Sequence, residues 1–154
     1  MTQPYAQDVN YWKTGERAAD TWIDMAKTEI RAVGGLVTGS AQMDGIDGAV
    51  FVLMFTLGGE AYRVSWPVLA LKPNEKRTPA QIKSDERAAK IQAATFLYYD
   101  VKAKCMVEKV MGAAAAFLQY RLLPSGSTAA EMGFAGRGAE LPGALLLLSG
   151  RGER

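Results

Sequence analysis

The chain contains no histidine. That removes the Ser-His and Cys-His nucleophile pairs, and imidazole ligands for zinc with them. Cys105 is the only cysteine, so no thiolate cluster can hold a metal and no internal disulfide can form. A general base would have to be a retuned carboxylate, lysine or tyrosine. Carboxylates are scattered. Asp44 and Asp47 share the connection Asp44-Gly45-Ile46-Asp47-Gly48, which has too few oxygen ligands and no distal glutamate for a calcium loop. Asp85 and Glu86 sit beside lysines on one helix. No Walker loop is present. Gly133, Gly136 and Gly138 do not stand between a strand and a helix, as a phosphate cradle requires. The residue inventory argues against an enzyme, and we assign no catalytic residue, no cofactor and no metal ligand.

The cations are better organised. From Lys72 to Lys90 the positive residues are Lys72, Lys76, Arg77, Lys83, Arg87 and Lys90, against Glu75, Asp85 and Glu86. This stretch is more basic than the chain as a whole, whose net charge is only +2. Lys102, Lys104 and Lys109 continue the trend, and Arg63 lies on a mixed face of a neighbouring strand. Basic side chains on a loop and a helix start can neutralise phosphates, each adding a salt-dependent increment to binding. Tyr62, Trp66, Tyr98, Tyr99 and Tyr120 could stack on bases. The plainer alternative is a solvated helix face, with Tyr62 and Trp66 in the core.

Several elements must position these residues. The stretch Ala49 to Leu71 holds two apolar runs around Gly58-Gly59. Two glycines supply the positive φ angles of a tight hairpin turn. The turn sets Leu57 opposite Glu60, Phe55 opposite Tyr62, Leu53 opposite Val64, and Phe51 opposite Trp66. Apolar cross-strand pairs add roughly 0.2–1 kcal/mol each. A slip of one residue would move them all to the other face, so the register is strongly specified. Pro67 donates no ladder bond, so it places the second strand at an edge or ends its pairing there. Residues 36–43 alternate weakly and read as a further strand, with Gly39 marking a bulge or close approach. Strands 36–43, 49–57 and 60–71 then form an antiparallel meander.

Helices flank the meander. Residues 15–33 carry Ile23, Ala26, Ile30 and Val33 at helical spacing, with Trp22 beside them, Thr14 as N-cap and Gly34-Gly35 as stop. Residues 72–78 form a polar loop. Thr78, Pro79 and Gln81 are the N-cap, N1 and N3 residues of a capping box. The helix they open has Ile82, Ala89, Ala93, Phe96, Leu97, Val101 and Cys105 as its inward stripe, with Glu86–Lys90 and Asp100–Lys104 as i,i+4 pairs. Helical pattern runs on to Leu123. A single helix of that length is rare in a small domain, so a break is expected at Gly112 or near Tyr99-Asp100. Residues 113–123 then form a last helix.

The fold expected is α+β, a three-stranded antiparallel meander packed on long helices in the order α-β-β-β-α-α. It occupies residues 1–124 as one domain, followed by a flexible Gly/Ala-rich tail over 125–154 that is partly disordered or docks on the body. Residues 1–13 form an arm whose Tyr11 and Trp12 pin it to the body or meet a partner. The tail contains Gly136-Arg137-Gly138, Gly150-Arg151-Gly152 and the apolar run Leu145 to Leu148. No apolar run reaches the roughly 18–20 residues of a spanning helix, and the N-terminus has no secretory pattern, so a cytoplasmic protein without membrane contact is expected.

In its order of helix, three antiparallel strands and helix, the stretch 15–111 resembles two nucleic-acid modules. One is the double-stranded-RNA-binding domain, whose second helix also begins with lysines, as Lys83, Arg87 and Lys90 do here. The other is the core of single-strand annealing proteins, where a sheet and a long helix bear a basic groove. The basic stretch, together with this resemblance, leads us to expect a non-enzymatic binder of single-stranded DNA or RNA, contacting phosphates through Arg63, Lys72, Lys76, Arg77, Lys83, Arg87 and Lys90. The competing reading is a self-associating interaction module with no nucleic-acid role. Its support is the two-sided apolar strand 49–57, the alanine run 113–116 and the Leu-rich patch. Both readings include a homo-oligomer.

Overall fold

The computed structural model describes residues 3–15, 17–45 and 48–134. Its centre is a three-stranded antiparallel sheet in the order β1-β2-β3: β1 (Leu36–Gly45), β2 (Gly48–Leu57) and β3 (Glu60–Pro67). The Gly58-Gly59 turn has φ of 59° and 81°, both in the left-handed region that hairpin turns need. Leu57 pairs with Glu60, Phe55 with Tyr62, Leu53 with Val64, and Phe51 with Trp66, in the expected register. All of these but Glu60 and the half-buried Trp66 are buried on one face. The pairing of β1 with β2 shifts between Val37 and Gly39, which is the bulge that Gly39 signals. A β-carbon on Gly39 would stand 3.2 Å from Met54 Cε, so the approach is close as well.

Helix α1 (Ala19–Ala32) buries Trp22, Ile23, Ala26 and Ile30. It begins later than the sequence suggests. Ala18, not Thr14, is the N-cap, and it makes no side-chain hydrogen bond. Residues before it are spent in a turn that crosses the second helix, α2 (Pro79–Met111). Tyr11 and Lys13 take φ of 67° and 54° there, and Gly15 lies so close that a β-carbon would meet Ile91 at 3.3 Å. Gly34, at φ 90°, ends α1 as expected.

The capping box of α2 is complete: Gln81 N–H donates to Thr78 Oγ1 at 3.2 Å, and Thr78 N–H to Gln81 Oε1 at 2.9 Å. The buried stripe runs through Ala89, Ala93, Leu97, Val101 and Cys105. Ile82 departs from it and is 40% exposed, because the first turn of α2 stands clear of the core. The helix stops at Gly112, where φ is 89° and ψ 163°.

The expected last helix over 113–123 does not form. A single α turn, α3 (Ala113–Ala116), and a 3-10 turn over Leu118–Tyr120 replace it. Tertiary contacts override helical propensity here. Phe117 is buried against Phe55 and Tyr62, with ring centroids 5.1 and 5.7 Å away. Arg121 then bridges to Tyr62, and Leu122 N–H donates to Ala61 O at 3.2 Å, which requires extended backbone.

The chain does not leave the body at residue 124. A short helix, α4 (Ala129–Phe134), follows, with Thr128, Ala129 and Met132 buried. It is tied to the sheet face opposite α2 through Arg63 and Ser65. The Arg-Gly pairs and the Leu-rich patch lie outside the described residues.

Candidate nucleic-acid interface

The capping box fixes where α2 starts, and therefore where its cations point. Lys83, Arg87 and Lys90 follow at i, i+4 and i+7, on one side of the helix and roughly 6 Å from one to the next. Lys83 and Arg87 are exposed, Lys90 half-exposed, and Lys76 stands exposed on the preceding loop. Among the described residues none of these four has a carboxylate oxygen within 4 Å, so the expected Glu86–Lys90 pair is absent.

The other three expected contacts are occupied. Lys72 Nζ lies 2.5 Å from Asp8 Oδ1, and Arg77 Nε lies 3.1 Å from Asp85 Oδ2. Arg63 is on the sheet face away from α2, where it binds Glu131 through Nε at 2.9 Å and Nη2 at 2.5 Å, and donates to Gly126 O at 2.7 Å. Strand alternation puts it there, so Arg63 does not join the helix-start cations. Burial alone would raise the Glu131 carboxyl. Hydrogen bonds from Arg63, Ser65 and the Thr128 N–H, with the guanidinium charge, hold it below its ordinary value.

The N-terminal segment frames the helix start. Gln92, buried on α2, donates from Nε2 to the carbonyls of Ala6, Val9 and Asn10 at 2.9, 3.2 and 2.9 Å. This anchors the arm and lets the left-handed Tyr11 and Lys13 carry the chain back over α2, at about 1–3 kcal/mol of strain each. Lys13 Nζ reaches Asp85 Oδ1 at 2.6 Å. A cleft of about 360 Å³ lies beside this pair, bounded by the arm, the 72–78 loop and the first turns of α2. A smaller one of about 250 Å³ shares Lys13 and Ser84 with it and adds Arg87.

The aromatic residues do not form a stacking platform. Tyr62, Tyr98 and Tyr120 are buried, and half-buried Trp66 stacks on Phe96 at 5.5 Å. Tyr99 is exposed but lies flat against Tyr11 at 5.6 Å. Tyr120 OH donates to Asp100, which also accepts from Trp66 Nε1 at 3.3 Å and pairs with Lys104 at 2.6 Å. Burial first, and the Asp100 charge second, push the Tyr120 hydroxyl far above its ordinary range. Burial, then Glu29 and Glu108, push the Cys105 thiol up to about 11, so it is a packed side chain and not a nucleophile.

Among the described residues no three acidic, cysteine or histidine side chains gather as a metal site. Among them, too, no helix is long and apolar enough to cross a membrane. No family model, curated protein or solved structure matches the chain. The likeness to RNA-binding and annealing modules therefore stays one of element order.

Proposed function

We propose that this chain binds single-stranded nucleic acid without catalysis, using Lys76, Lys83, Arg87 and Lys90 as phosphate contacts. The observation that carries the reading is Lys83, Arg87 and Lys90 on one side of the first turns of α2, with Lys76 on the loop before it, none of the four paired with a carboxylate among the described residues. Phosphates along an extended strand recur at a spacing that cations one helical turn apart can follow. Because the aromatics are occupied, affinity would come from charge and show little base preference. Fluorescence anisotropy of single- and double-stranded oligonucleotides over a salt series tests this. Four contacts correspond to a slope of about −3 in log K against log salt for a single strand. Replacing Lys83 and Arg87 by Ala should flatten the slope by about 1.4. Absence of binding at low salt would overturn the reading.

Self-association is the second reading, and a different surface favours it. Met106, Val110 and Met111 on the last turns of α2 are 67%, 86% and 67% exposed, at helical spacing. Exposed apolar side chains grouped on one helix end support the reading that this face meets another chain. Light scattering of the wild type and of Val110→Lys would test it. A monomer in both would dismiss it.

A further inference from the structure

The larger cleft is walled by hydrogen-bond donors. Three carboxamides line it, and each has its oxygen fixed by a backbone N–H. Lys72 N–H donates to Gln7 Oε1 at 3.1 Å, Lys76 N–H to Asn74 Oδ1 at 3.0 Å, and Thr78 N–H to Gln81 Oε1 at 2.9 Å. These bonds fix which way each amide faces, and among the described residues the NH2 ends have no partner of their own and stand as donors for a ligand. Lys13 and Arg77 add charged donors to the same wall. The one carboxylate there, Asp85, has one oxygen on Lys13 and the other on Arg77, so the three groups together carry a single positive charge. The cleft also opens at the start of a 33-residue helix, where the backbone dipole favours anions.

A ligand that complements this lining is chiefly an acceptor, carries negative charge, and presents oxygens in several directions. A carboxylate offers two oxygens in one plane. A phosphomonoester offers three, and donors converge here from three elements: Gln7 and Lys13 on the arm, Asn74 and Arg77 on the loop, Gln81 on α2. The volume of about 360 Å³ leaves room for the sugar that carries the phosphate. We infer that this cleft is a binding site for a terminal phosphate, on a strand end or on a free nucleotide. The strand-end source rests on the function proposed above. The pocket chemistry does not.

The test compares one oligonucleotide with a 5′-phosphate, a 3′-phosphate or only hydroxyl ends, by anisotropy. Calorimetry with a nucleoside monophosphate and with inorganic phosphate accompanies it. The variants are Gln7→Leu, which removes an amide donor and leaves Lys76, Lys83, Arg87 and Lys90 as they are, and Lys13→Gly. The latter removes a cation while suiting the left-handed backbone at that position, so it guards against misfolding. One phosphorylated end should bind about tenfold more tightly than hydroxyl ends, and both variants should erase that difference while hydroxyl-ended affinity stays the same. Equal binding of all ends, with no titration of the monophosphate, overturns the pocket and leaves the strand-binding reading standing. Monophosphate binding lost in the variants, with no oligonucleotide binding at all, upholds the pocket and overturns that reading. Silence in both assays overturns both.

Discussion

Arg63 and Glu131 meet at two points, Nε to Oε2 at 2.9 Å and Nη2 to Oε1 at 2.5 Å. The same carboxylate accepts from Ser65 Oγ at 2.8 Å and from the Thr128 N–H at 3.0 Å, while Glu131 N–H donates to Thr128 Oγ1 at 3.2 Å. One side chain thus closes the capping box of α4 and docks that helix on β3. Planar two-point geometry is what a guanidinium does best, and it makes this pair stronger than an ordinary surface contact.

Arg63→Ala should lower stability by about 1–3 kcal/mol, since it strands a half-buried carboxylate. Urea unfolding of Arg63→Ala, Glu131→Gln and the double variant forms a cycle that should return a clear coupling energy. Oligonucleotide affinity should not change in any of them. A loss of affinity in Arg63→Ala with stability intact would return Arg63 to the ligand surface.

The Glu131 carboxyl titrates lower in the folded chain than in the unfolded one, so its contribution is complete above the ordinary carboxylate range. That contribution fades as pH falls through the folded value. The wild type should therefore lose its advantage over Glu131→Gln on acidification, with urea midpoints converging at the acid end. Parallel midpoint curves for the two proteins, from neutral to acid, would refute the assignment.

Gly112 sits at φ 89° and ψ 163°, a region essentially reserved for glycine. A β-carbon added there would touch nothing within 4 Å, so the cost of Gly112→Ala is backbone strain alone. We expect a loss of about 1–3 kcal/mol, seen as a lower melting temperature. An unchanged melting temperature would mean that α2 can run on past its stop.

The hairpin register, the Gly39 bulge, the Thr78 cap and the Gly112 break were legible because each rests on local backbone chemistry. The segment 113–123 was not, since Phe117 and Tyr120 are placed by the core and not by their neighbours in sequence. Among the described residues Lys76, Lys83, Arg87 and Lys90 stand open, but the partners of Lys72 and Arg63 come from residues far along the chain, and that of Arg77, Asp85, comes within reach only once α2 has formed. Glu131 did leave a signal, because Thr128-Ala-Ala-Glu131 has the spacing of a capping box. Gln7 and Asn74 left none, since uncharged amides acquire a direction only once a backbone N–H has claimed the oxygen.

The arrangement around β3 also limits how chains can join backbone to backbone. Arg121 and Leu122 occupy the outer rim of β3 at one end, and Pro67, which has no N–H to give, closes the other. Among the described residues the open rim is that of β1, ten residues long, with Leu36 and Met43 exposed along it. Two molecules could zip together there into a continuous six-stranded sheet, and the second would have no such rim left for a third. Pairing by this route would therefore stop at two chains and would not extend into fibres.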